Sequence, residues 1–142
     1  MMRYLLDTNV VSEWSKAFPD ERVMVWLARQ TPEHVAVSVM TIAETVYGIE
    51  IRPAGRKRDV IRQWYEEGLL GLVRDRIIPL DYRIIQHWSR HVAESERIGR
   101  TQAHADSLIM ATAAVHGLTV VTRNVRDFPD SGVEVINPWV ES

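Results

Sequence analysis

Asp7, Glu44, Asp106 and Asp127 are the residues whose type and placement suggest chemistry. Asp7 follows the apolar run Tyr4-Leu5-Leu6, and Glu44 comes shortly after Val35-Ala36-Val37-Ser38. Asp106 opens the run Leu108-Ile109-Met110-Ala111, and Asp127 follows Thr119-Val120-Val121-Thr122. Ligands of an open parallel sheet bind in the crevice at the carboxyl ends of its strands. If these runs are neighbouring strands and helices, the acids meet in one such crevice. Carboxylates packed together repel, and some take up protons unless a cation neutralises them. A donor set made only of hard oxygens points to a divalent ion, Mg²⁺ or Mn²⁺.

Each acid also has a purely structural reading. Asp7 fits a helix cap at a strand-to-helix turn. Thr41-x-x-Glu44 matches a capping box. A carboxylate at Asp106 is favoured by the N-terminal end of a helix dipole, and Asp127 stands in a polar loop where Asp commonly makes a local turn. Their combined placement favours the metal site over four separate structural roles. His87 and His91 are four apart on an expected helix, but no third ligand accompanies them and Trp88 stands where a zinc protease needs glutamate. They read as an exposed helix face. His104 lies near Asp106, where it could reach substrate. The basic run Arg52, Arg56, Lys57, Arg58 reads as a solvated loop and helix start, or as a contact for nucleic-acid phosphates. Arg123 and Arg126 are better placed for phosphate because they flank Asp127.

Alternating strands and helices must position these groups. Strands are expected at residues 3–6, 35–38, 77–78, 119–122 and 133–136. Helices are expected from Thr8 or Asn9 to about Lys16, from Asp20 towards Arg29, over 41–51, 56–70 and 81–97, and over 103–116 with Gly117 as the stop. Such alternation predicts an α/β fold around a parallel sheet. No internal repeat, glycine-rich phosphate loop or nucleophile elbow is present.

At 142 residues the chain predicts one domain, residues 1–142. With 46% hydrophobic and 25% charged residues, it has the composition of a soluble globular protein. The absence of cysteine excludes disulfides and thiolate zinc sites and fits a cytoplasmic location. No apolar run reaches the length of a membrane helix, and no signal peptide is expected. A net charge of −2 argues against a broad electrostatic nucleic-acid binder but allows a local basic surface. Lys16 and Lys57 are the only lysines among 17 basic residues. Arginine grips phosphate with a planar fork.

The motifs Leu5-Leu6-Asp7-Thr8-Asn9, Ser38-x-x-Thr41-x-x-Glu44, Asp106-x-Leu108-Ile109-x-Ala111-Thr112-Ala113 and Leu118-Thr119-Val120-Val121-Thr122-Arg123-Asn124-x-x-Asp127-Phe128 resemble, in order, those of the PIN-domain ribonucleases. Within that family the chain looks like the VapC-type toxins, particularly the FitB-like branch, to which Asn137-Pro138-Trp139 is also similar. The resemblance implies a three-layer α/β/α sandwich with a central, mainly parallel sheet of four to five strands. It implies Mg²⁺-dependent RNA cleavage, with Asp7 and Asp106 as direct ligands, Glu44 as a ligand directly or through water, and Asp127 as an auxiliary. It assigns supporting roles to Thr8, Asn9, Thr122 and Asn124. It also implies a homodimer, possible higher-order assemblies and inhibition by a cognate VapB- or FitA-like antitoxin. Gln102-Ala103-His104-Ala105 departs from the small or polar residues the family often places before Asp106. Two other readings are a non-catalytic module that grips RNA or protein and, more weakly, a metal-dependent phosphatase or phosphotransferase. The second lacks the aspartate expected at Asn9 and any lysine after Lys57.

Overall fold

Alternation inside short apolar runs decides the architecture. A computed structural model of the chain describes residues 1–125 and 132–140. In β1 (Tyr4–Leu6), Leu5 and Leu6 are both fully buried but enter two different cores. In β2 (Val35–Ser38), Ala36 joins Leu5 while Val35 and Val37 join Leu6. Val120 and Val121 of β4 (Thr119–Val121) divide in the same way. A strand covered on both faces needs apolar residues at every position, which explains continuous runs without polar alternation.

These strands pair with β3 (Ile77–Ile78) and β5 (Val135–Ile136) in the order β3-β2-β1-β4-β5. Every pairing is parallel, with Leu5 opposite Ala36 on one side and Val120 on the other. Among the described residues the sheet therefore has five strands and is wholly parallel. One core lies beneath α1 (Thr8–Ser15) and α2 (Glu21–Ala28), through Val10, Val11 and Val23. The opposite core lies beneath α6 (Tyr82–Arg97) and α7 (His104–His116), through Ile84, Ile109 and Met110. Helices on both faces give the α/β/α sandwich. Gly117 stops α7 in the left-handed conformation with φ 65°, as expected for a glycine at this position.

Asp7 caps α1 by accepting the Thr8 N–H, as its structural reading expects. Two other local expectations are corrected. Helix α3 (Val39–Glu50) starts two residues before Thr41, because the Ser38 hydroxyl accepts the Met40 N–H at 3.0 Å. Thr41 is thus a buried helical residue, and no capping box forms with Glu44. The helix expected over 56–70 is divided into α4 (Arg56–Gln63), a π-helical turn at Trp64–Leu69, and α5 (Leu70–Val73). At that turn Trp64 meets Trp14 edge to face, with centroids 5.5 Å apart. Gly68 leaves the room, since a Cβ there would lie 3.1 Å from Trp64 Cδ1 and 3.5 Å from Trp14 Cζ2.

The connection from α1 to α2 depends on buried Glu13. Its carboxylate accepts Lys16 Nζ at 2.9 Å and the Asp20 backbone N–H at 2.8 Å. The Lys16 hydrogen bond holds the Glu13 carboxyl below its ordinary 4.5, although burial pushes the other way. A depressed carboxyl contributes stability that is present above the unfolded-state value and is lost as pH falls through the folded-state value. Glu13→Gln should therefore be less stable than wild type at neutral pH, with the difference shrinking as pH drops below 4.5. Urea unfolding across that range measures it, and a pH-independent difference would contradict the assignment.

Candidate active site

The strand order reverses direction at β1, whose neighbours are β2 on one side and β4 on the other. Open α/β sheets place their ligand crevice at such a switch point, beyond the carboxyl ends of the strands. Asp7 immediately follows β1, and Thr122 immediately follows β4. Parallel register sets Leu6 against Val121, so the next residues of the two strands face each other across the crevice.

Asp7 is 3% exposed. Its Oδ1 accepts the Thr8 N–H at 2.7 Å, and its Oδ2 accepts the Thr122 hydroxyl at 2.8 Å and Asn9 Nδ2 at 3.4 Å. These donors orient the carboxylate towards the crevice. Thr122 Oγ1 also accepts Asn9 Nδ2 at 2.9 Å and the Asn124 N–H at 3.0 Å. Asn9 Oδ1 accepts the Arg123 N–H at 3.2 Å. The loop after β4 is thereby tied to the first turn of α1.

Glu44 comes from the middle of α3. Its Oε1 accepts the Thr8 hydroxyl at 2.6 Å, and Thr8 Oγ1 lies 3.3 Å from Thr41 Oγ1. Thr8 thus links the Glu44 carboxylate to the residue beside Asp7. Asp106 is half-buried in the first turn of α7, whose cap Ala103 supplies no side-chain bond. Among the described residues, no three His, Cys, Asp or Glu side chains are gathered closely enough to hold a metal ion. Asp127 and Arg126 lie outside the described residues. In kind, the oxygen donors of Asp7, Glu44 and Asp106 suit a hard divalent cation.

The other expected residues have distinct placements. Asn124 supports the site through its backbone N–H. Arg123 is exposed, with its guanidinium 5.3 Å from the Trp139 ring centroid. His104 is exposed at the start of α7 and meets Trp88 edge to face at 5.5 Å. Arg52 and Arg56 are exposed beyond the end of α3. His87 and His91 lie on α6 in a shallow cleft with Arg83, Arg90 and Glu94. Thr41 and Asn137 were not singled out as site residues from sequence. Asn137 steadies the Arg123 loop by donating Nδ2 to the Arg123 carbonyl at 3.4 Å and accepting the Trp139 N–H at 2.9 Å. Its only sequence signal was the Asn137-Pro138-Trp139 motif.

The PIN domain family matches residues 4–131, and the chain belongs to that family. It is 36% identical over 135 residues to VapC ribonuclease Y4jK of Sinorhizobium fredii, covering 95% of this chain and 96% of that protein. Toxin FitB of Neisseria gonorrhoeae is 38% identical over 135 residues, with coverage of 95% and 97%. The crystal structure of FitAcB from Neisseria gonorrhoeae superimposes with a TM-score of 0.90 at 37% identity, covering 97% of this chain and 99% of that one.

The network makes Thr122 a measurable keystone. Thr122→Val removes the hydroxyl that donates to Asp7 and accepts from Asn9 and Asn124. Leaving buried polar groups short of a partner costs about 1–3 kcal/mol. Urea unfolding should show a loss of this size, with Thr122→Ser recovering most of it.

Proposed function

We propose that the chain is a divalent-metal-dependent endoribonuclease and the toxin component of a type II toxin–antitoxin pair, with residues 1–142 acting as one nuclease domain. The observation that carries this reading is the buried Asp7 carboxylate, oriented by Thr8 and Thr122 at the switch point of a PIN fold. Relatives named as a ribonuclease and a toxin support it over nearly the whole chain. Asp7 and Asp106 would hold Mg²⁺, or Mn²⁺, with Glu44 contributing directly or through water and Asp127 as an auxiliary. When bound, such an ion supplies an activated water and neutralises charge developing on the phosphate.

The protein's own contribution is to orient and to balance charge. Asp7 is oriented by the Thr8 N–H and the Thr122 hydroxyl. Thr8 steers Glu44, while Asn9, Thr122 and Asn124 fix the wall formed by the loop after β4. An acidic crevice repels RNA, so Arg123, Arg126, Arg52 and Arg56 serve the flanking phosphates, with His104 at the rim. The natural inhibitor is a VapB- or FitA-like antitoxin, and the active assembly is a homodimer that can enter larger complexes with it. No helix among the described residues is long and apolar enough to cross a membrane. A non-catalytic binding module is the second reading, favoured by the absence of a gathered three-ligand group among the described residues.

Asp7→Asn keeps the shape and removes the charge. It should lower RNA cleavage at least about a hundredfold, the scale of losing a key electrostatic group, while circular dichroism shows a retained fold. Full activity in a contaminant-free preparation of this variant would sink the assignment. EDTA should silence the wild type, and Mg²⁺ or Mn²⁺ should restore it. Cleavage that persists in chelator would separate the activity from a metal, and no turnover with either ion would favour the binding module.

A further inference from the structure

Five residues of α6 recur at the spacing of one helix stripe: Arg83, His87, Arg90, His91 and Glu94. The stripe adjoins the one that buries Ile84, and with Val115 of α7 it lines a cleft of about 380 Å³. Gln86 adds an amide to the same wall. Val115 stands nine residues after Asp106, or roughly 13 Å along the helix. The cleft is thus distinct from the acidic crevice.

Charge sets this stripe apart from an ordinary solvated helix face, where acids and bases alternate and pair at i, i+4. Among the described residues that line the cleft, Glu94 is the one acid beside two arginines and two histidines. Arg90 and Glu94 have the pairing distance in sequence, yet no ion pair among the described residues includes either of them or Arg83. His87 is likewise unengaged: its Nδ1 is shut off from water and meets no partner among the described residues. With no internal bond to fix its tautomer, the ring can carry its proton on Nε2 and donate it into the cleft. No group of acids and histidines among the described residues suits a metal ion, and the two arginines oppose a cation. Cations concentrated in one recess also run against the chain's formal charge of −2. The cleft is built for an anion.

We propose that this cleft binds the phosphoryl groups of a small phosphorylated ligand, at a site independent of the ribonuclease reading. Arg83 and Arg90 bring planar forks that match phosphate oxygens, while His87, His91 and Gln86 supply single donors between them. One exposed arginine holds an anion weakly, because water screens it. Several cations converging on a concave surface add their fields. A protein segment docks through apolar anchors, and this cleft offers Val115 alone. Its volume falls within the range of small-ligand sites, with Val115 left to meet the part of the ligand that carries no charge.

The test titrates the full chain with pyrophosphate, inorganic phosphate and ADP in EDTA, so that no metal in the acidic crevice can recruit the anion. Calorimetry should show saturable pyrophosphate binding, and the melting temperature should rise with it. In ¹⁵N-labelled protein the ring resonances of His87 and His91 should move during the titration, while those of His34 stay in place. Arg83→Gln combined with Arg90→Gln should weaken binding at least about tenfold, the scale of losing charge-assisted hydrogen bonds. Glu94→Gln should tighten it several-fold, because it removes the opposing charge. Tighter binding of ADP than of pyrophosphate identifies an organic phosphate as the ligand, and equal binding identifies the free anion. Pyrophosphate affinity unmoved by the double arginine variant, or saturation without a shift at His87 or His91, overturns the site. So does a wild type that takes up none of the three anions. If that wild type cleaves RNA and the double variant does not, the cleft belongs to RNA. If the double variant instead changes its assembly in sedimentation, the cleft belongs to a protein interface.

Discussion

The hydrogen bond from the Thr122 hydroxyl to the Asp7 carboxylate spans 2.8 Å in space and 115 residues in sequence. A charged carboxylate this deeply buried is costly unless its oxygens are met by well-placed donors. Meeting that demand constrains the rest of the molecule. Helix α1 must begin at once, so that the Thr8 N–H points back at Oδ1. β4 must lie directly beside β1, so that Thr122 follows Val121 into the crevice. A one-residue slip in that register would exchange the two cores as well as the site, because successive strand residues face opposite layers.

Helix α3 shows how a small local choice reaches the chemistry. By capping at Ser38, the chain starts the helix straight from β2. Glu44 then lies in the helix interior, away from the orphan N–H groups of the first turn that would otherwise compete for it. Its carboxylate turns instead to Thr8, and Thr41 joins the same hydroxyl cluster. Two helices that start at neighbouring strand ends are thus bound together through the Thr8 hydroxyl, which meets Glu44 and Thr41.

The layers of the fold were legible because apolar runs bounded by turns are a direct consequence of a sheet covered on both faces. The ends of elements were less so. Ser38 and Thr41 are both plausible caps, and only the tertiary path of β2 decides between them. The π-helical turn at Trp64–Leu69 was invisible, since it accompanies the Trp14–Trp64 packing across two distant segments. At the site, the resemblance to a known family pointed to Asp7, Thr8, Asn9 and Thr122, and these are joined directly by hydrogen bonds. It could not reveal that Thr8 holds Glu44, or that Asn137 steadies the Arg123 loop, because neither bond leaves a periodic trace.

The two outermost strands, Ile77–Ile78 and Val135–Ile136, are only two residues long. A sheet border this brief displays almost no unsatisfied ladder on which another polypeptide could zip as an added strand. The protein can therefore accumulate without inviting edge-to-edge polymerisation. Whatever binds it must be recognised through the relief of its helices and loops. Such recognition reads side chains rather than generic backbone, and so separates one partner from another.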